Sequence, residues 1–148
     1  MNYMEATAMP IEDLAREHVV SASPETSVPE LAQQMRDESV GSVVISDDDI
    51  PTGIVTDRDL TTRVLAEETA STDQTAEDVM STDLCAVGPD AGFYEAAEVM
   101  SENGVRRLPV CDENDELVGI ITADDLTELL ANESQQLASV IQAQRAEY

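Results

Sequence analysis

The chain repeats itself, and that repetition limits its fold more than any other feature. The segment from Ile11 to Val64 returns from Ala76 to Leu130. At an offset of 65 residues (Pro24 to Pro89), Val28 matches Phe93, Ala32 matches Ala97, Met35 matches Met100 and Val40 matches Val105. The offset then becomes 66 (Gly53 to Gly119), because Asp47 to Thr52 is one residue shorter than Asp112 to Val118. After that step Thr56-x-x-Asp59-Leu60 answers Thr122-x-x-Asp125-Leu126. A one-residue change inside a polar turn is easily tolerated. A unit of about 55 residues buries too little apolar surface to stand alone, so the two copies should pack together through their sheets.

Each copy reads alike. Ser27-x-x-Glu30 is a capping box opening a helix whose apolar face is Val28, Leu31, Ala32 and Met35, and Gly41 is expected to mark its end. Val43 to Ile45 reads as a short apolar strand, Asp47-Asp48-Asp49 with Pro51 as a turn, and Gly53 to Val55 as a second strand entering a helix at Thr56. The second copy follows with Phe93, Ala96, Ala97 and Met100, then Leu108 to Cys111, then Leu117 to Ile121. Val19-Val20 and Leu84-Cys85 are candidate edge strands. The expected fold is α/β (α+β), two β-α-β-β-α repeats packed pseudo-symmetrically: repeat 1 over 8–66, a linker over 67–75, repeat 2 over 76–131 and a helical extension over 132–148.

Composition then limits the partners. The chain carries 32 acidic residues against 7 basic ones, all Arg, for a formal charge of −25, yet 42% of its residues are hydrophobic. That apolar content excludes disorder. The carboxylate excess without lysine reads as the surface of a halophilic protein, whose self-repulsion concentrated salt screens, the alternative being an ordinary acidic bacterial protein. Such a field repels nucleic acid and anionic lipid alike. No apolar run reaches the roughly 18 residues of a membrane span, and the N-terminus lacks a signal-peptide pattern, so a cytoplasmic protein is expected. Cys85 and Cys111 have no CxxC spacing and, with the lone His18, read as small buried thiols rather than metal ligands. One His, no nucleophile and base in a recognisable motif and no glycine-rich phosphate loop leave little for an enzyme.

Val-Gly-Ser-Val-Val-Ile followed by GIVTDRDL, and GVRRLPV followed by GIITADDL, resemble the signature segments of tandem cystathionine β-synthase-type (CBS) repeats over about residues 10 to 131. The resemblance implies a Bateman module: a regulatory pair of repeats with two clefts for an adenosine nucleotide, commonly dimeric, acting on a separate regulated protein. Thr56-x-x-Asp59 and Thr122-x-x-Asp125 serve first as capping arrangements, Thr at N-cap with Asp three residues on. The same groups suit a nucleotide, offering a carboxylate for ribose hydroxyls beside a helix N-terminus for phosphate. By resemblance, Asp59 and Asp125 would hold ribose, with Thr56 and Thr122 beside them. Adenine would lie against Val19, Val20, Val40 and Gly41 in the Asp125 cleft and against Leu84, Cys85 and Val105 in the Asp59 cleft. AMP, ADP or ATP is expected before NAD(H) or S-adenosylmethionine, with no catalytic cofactor. The rival reading is a dimerisation or docking module with empty clefts.

Arg58, Arg106 and Arg107, three of seven arginines, fall within these motifs. The pairing seen in the family would bring all three to the Asp59 cleft, making it the tighter phosphate site, while Asp124, Gly41 and Ser42 would leave the Asp125 cleft without a cation. Met9 to Leu14 should start a short helix matched by Ala76 to Met80. Past Leu126, the apolar residues Leu130, Leu137, Ile141 and Tyr148 recur at spacings of four and seven, a helix needing a partner surface, and a homodimer is expected.

Overall fold

The structure, a computed structural model, describes residues 11, 14–68 and 71–145. Repeat 1 contains β1 (Ser21–Ala22), α1 (Val28–Glu38), β2 (Ser42–Asp47), β3 (Ile50–Thr56) and one helical turn α2 (Asp57–Asp59) that runs into a π-helical stretch Leu60–Leu65. Repeat 2 contains α3 (Ala76–Val79), α4 (Phe93–Asn103), β4 (Arg107–Cys111), β5 (Leu117–Thr122) and α5 (Ala123–Arg145). β1 pairs parallel with β2, and β2 antiparallel with β3. β4 and β5 form the second hairpin, and Val87 makes a parallel bridge to Val110 where β1 has its counterpart. The paired edge positions lie about two residues later than expected, at Ser21–Ala22 and Val87, although the expected Val20 still supplies the carbonyl that Val44 N–H donates to, as Val87 does for Cys111.

Each repeat builds its own core, and each core is completed by the other repeat. Val28, Leu31, Met35, Val43, Ile45, Val55 and Val64 cluster with Ala76 and Val79 from the start of repeat 2. Ala96, Met100, Leu108, Val110, Ile121 and Leu126 cluster with Ile11 from the start of repeat 1. The exchange is symmetric in detail. Ile11 N–H donates to Ala91 O and Ala76 N–H to Thr26 O, both at 2.8 Å. Arg16 bridges Ile120, and Ser81 bridges Ile54. The crossing strands come close enough that a Cβ on Gly119 would lie 3.1 Å from Arg16 O, and one on Gly53 would collide with the Met80 side chain. Fully buried Ile11 and Leu108 each contribute about 1.5 to 3 kcal/mol of apolar burial. The expected initial helix falls largely outside the described residues, except Ile11 and Leu14.

Local chemistry corrects several boundaries. α1 ends at Ser39, which takes the left-handed conformation (φ 55°), not at Gly41; the matching residue, Gly104, caps α4 (φ 63°). The first hairpin turns on Asp48 and Asp49, both at positive φ between paired Asp47 and Ile50, a two-residue loop whose twist suits the strands. Pro51 therefore lies in β3, beside the bulge after Ile45, instead of in the turn. The second turn is longer, and Asp112 Oδ1 accepts from Asn114 and Glu116 N–H. α5 runs through position 132 without a break, so the extension is the same helix as the end of repeat 2, about 35 Å long.

Candidate functional site

The exchanged segments set up a cavity between the repeats, of about 380 Å³. Arg16, His18, Val19, Val20, Glu38, Val40, Gly41 and Ser42 line one side, and Arg107, Ile120, Thr122 and Asp124 the other. Its volume falls within the roughly 300–1,000 Å³ of small-molecule sites. The four apolar residues expected in the Asp125 cleft are all here. Thr122 closes β5 and caps α5: its N–H donates to Asp125 Oδ2 and its hydroxyl accepts from Asp125 N–H, both at 3.1 Å. The other Asp125 oxygen accepts from Arg16 Nη2 at 3.0 Å, and the carboxylate side chain is only 13% exposed. His18 Nε2 lies 3.5 Å from Glu38 Oε2.

Arg107 belongs to this cavity, and this overturns the expected division of charge. It opens β4 opposite Thr122 in the hairpin register, so both side chains leave the same face of the sheet. Its Nη2 reaches to 2.9 Å from where a Gly41 Cβ would stand. A side chain at position 41 would push the tip of that guanidinium aside. With Arg16 alongside, this cavity holds two arginines where none was expected, while Asp125, paired with Arg16, is not itself among the residues lining it. Among the described residues, Arg107 has no carboxylate within 4 Å.

Thr56 and Asp59 form the equivalent capping box, at 2.9 and 3.1 Å, and Asp59 Oδ1 faces Arg63 Nε at 3.8 Å. Arg58 is exposed on α2. Leu84 is half-buried, and Cys85 packs against the second core. Arg106 turns to Asp124 at 3.2 Å, with both side chains exposed, and together with Val105 it lines an apolar groove between α4 and α5. Arg106 is thus not gathered with Arg107, because adjacent residues entering a strand point to opposite faces.

The sequence places Ser42 and Asp124 in this cleft, but it does not single out Arg16, His18, Glu38 or Ile120. Arg16 had one signal: it precedes the edge segment and aligns with Ser81, so the two clefts already differ there. Both cysteines are free, and burial together with Asp115 and Asp112 pushes the Cys111 thiol above its ordinary value. No helix among the described residues is long and apolar enough to cross a membrane.

The CBS domain family matches residues 11–66 and again 76–132, so the chain belongs to the CBS domain family and is a pair of its repeats. It is 36% identical over 120 residues to protein MK0525 of Methanopyrus kandleri, covering 80% of this chain and 61% of that protein. A homoserine O-acetyltransferase of Methanobrevibacter ruminantium is 47% identical over 47 residues, covering 32% of this chain and 10% of that enzyme. The chain therefore spans about three fifths or less of these curated relatives. In fold it is similar to the CBS pair of MJ0100, solved in complex with 5′-methylthioadenosine and S-adenosyl-L-methionine: TM-score 0.78, 23% identity, covering 85% of this chain and 98% of that one. The class is thus a CBS-domain pair.

Proposed function

We propose that the module works by binding an adenosine nucleotide, AMP, ADP or ATP before NAD(H) or S-adenosylmethionine, in the cavity between its repeats, and that it carries no catalytic step. One observation carries the reading: the cavity sets apolar Val19, Val20 and Val40 against Thr122, Arg16 and Arg107. An adenine ring fits the apolar side. The Asp125 carboxylate accepts ribose hydroxyls once Arg16 leaves it, and Arg107, near the start of α5, meets the phosphates. The MJ0100 complex supports adenosine chemistry on this fold. The Thr56–Asp59 motif, with Arg58 beside it, takes the weaker role, since Arg107 belongs to the first cleft, Val105 and Arg106 line the groove between α4 and α5, and Cys85 packs on the second core.

The Arg16–Asp125 pair also favours a second reading, a docking module whose carboxylate is already satisfied without ligand. Calorimetry of AMP, ADP, ATP, NADH and S-adenosylmethionine into the protein in molar KCl separates the two. A ligand at about 100 times its dissociation constant raises stability by about 2.7 kcal/mol. No shift with any of the five leaves the docking reading.

The same proposal makes the protein a cytoplasmic, halophilic homodimer acting on a separate regulated protein. A charge of −25 destabilises the fold unless screened. The melting temperature should rise from dilute buffer to molar KCl, and equal values would remove the halophilic part.

A further inference from the structure

We propose that two copies of the chain pair through α5, antiparallel, with Leu137 of one copy packed on Ile141 of the other. This rests on the homodimer reading above and names its interface. From Leu130 to Ala143 every residue of α5 is exposed, including Leu137 (66%), Val140 (56%) and Ile141 (52%). A helical stretch of this length is marginal in water without a packing surface.

The stripe has a definite direction. At 100° per residue, Leu130, Leu137 and Ile141 fall within about 60° of Leu126, which is buried in the second core. The exposed line therefore continues the core-facing line of the helix, and it begins in the apolar groove of about 420 Å³ that Leu126 and Leu130 share with Phe93, Ala97 and Met100.

Charge selects the occupant. Between Leu129 and Gln144 the only charged residue is Glu133, in a chain of net charge −25. A second copy, equally acidic, is repelled by the carboxylate-rich body but not by this stretch. A basic partner would be drawn instead to the carboxylates that the stretch lacks. The spacing selects the orientation. Leu130, Leu137, Ile141 and Tyr148 are separated by seven, four and seven residues, the same in both directions, although Tyr148 lies outside the described residues. A two-fold axis level with Ser139 sets Leu137 on Ile141 twice over, an isologous contact. Antiparallel pairing also opposes the helix dipoles and holds the two acidic bodies at opposite ends of the pair, further apart than a Debye length of about 8 Å at physiological ionic strength.

Light scattering in molar KCl on the whole chain and on Leu137→Asp/Ile141→Asp tests the interface, with circular dichroism to confirm that the body stays folded. The expected result is twice the 16.0 kDa chain mass for the wild type and one chain mass for the variant. A variant that remains dimeric overturns the α5 interface and leaves the homodimer standing. A monomeric wild type overturns both. Orientation is read with Leu137→Cys and Ile141→Cys proteins, each carrying Cys85→Ser and Cys111→Ser. Oxidation to a direct disulfide should join the two variants when mixed and neither by itself, because each position lies four residues, about 6 Å, along the axis from its own copy. Crosslinking of each variant alone would show a parallel pair and overturn the proposed geometry.

Discussion

Asp59 and Asp125 hold equivalent positions and make the same capping box, yet a different arginine secures each. Asp125 is held at 3.0 Å by Arg16, delivered by the exchanged segment of repeat 1. Asp59 faces Arg63 at 3.8 Å, one turn along its own chain, and Arg63 instead reaches the exchanged segment by donating to Val79 O at 3.0 Å. In both places an arginine ties a motif carboxylate to the exchanged segment. In repeat 2 the segment supplies the cation, and in repeat 1 the motif helix does. A motif duplicated in sequence therefore does not duplicate a site, because the groups that complete it arrive from the opposite repeat.

The exchanged segments themselves give the sharpest contrast. Ile11 and Ala76 sit at matched positions, both fully buried, but the second core receives the larger side chain. Ile11→Ala should cost about 2 to 5 kcal/mol in urea unfolding. A variant as stable as wild type would mean that the first segment does not anchor the second core.

The clefts come next. Asp125→Ala should weaken the tighter adenine-nucleotide binding by about 10- to 100-fold, equivalent to one or two charge-assisted hydrogen bonds of about 1.5 kcal/mol, while Asp59→Ala leaves it in place. Titration calorimetry in high salt decides between them, and loss of that binding in Asp59→Ala reverses the assignment. Within the Asp125 cleft, Arg107→Ala should reduce the preference for AMP over adenosine by about tenfold. Arg16→Ala should instead strengthen adenosine binding, since Asp125 is then free to accept ribose. An unchanged preference in Arg107→Ala would place the phosphates elsewhere.

A smaller difference lies in the helix ends. Ser39 carries the left-handed conformation that Gly104 adopts without strain, so Ser39→Gly should stabilise by about 0.5 to 1 kcal/mol and Gly104→Ala destabilise by about as much. Thermal melts of the pair check the sign at each end. The smallest effect concerns Cys111. Burial and two neighbouring carboxylates raise its pKa, so the folded protein holds that proton more tightly than the unfolded chain. Its stabilising contribution is present below the ordinary thiol value and is lost as pH rises through the folded one. At about pH 9, iodoacetamide should modify Cys111 more slowly in the native protein than in urea, where the thiolate is freer.

What depends on neighbours along the chain was legible in the residues themselves. The duplication, the Thr56–Asp59 and Thr122–Asp125 capping boxes, the apolar faces of α1 and α4 and the two hairpins all rest on spacings of a few residues, and each formed where the pattern placed it. Even the errors there were short: Ser39 in place of Gly41, and edge pairing two residues late, because several polar residues can take a left-handed turn and an edge strand needs few bonds. Which repeat completes which core, and with it the charge of each cleft, arose from packing between distant segments. Ile11 could have packed on its own repeat by any local criterion. Its burial beneath Ala91 carries Arg16 to Asp125, while the alternation of side chains at the start of β4 sends Arg107 to Gly41 and Arg106 to Asp124. Arg106 and Asp124 are only 18 residues apart, but the Arg16–Asp125 and Arg107–Gly41 placements follow from packing between segments 66 or more residues apart, which no local spacing encodes.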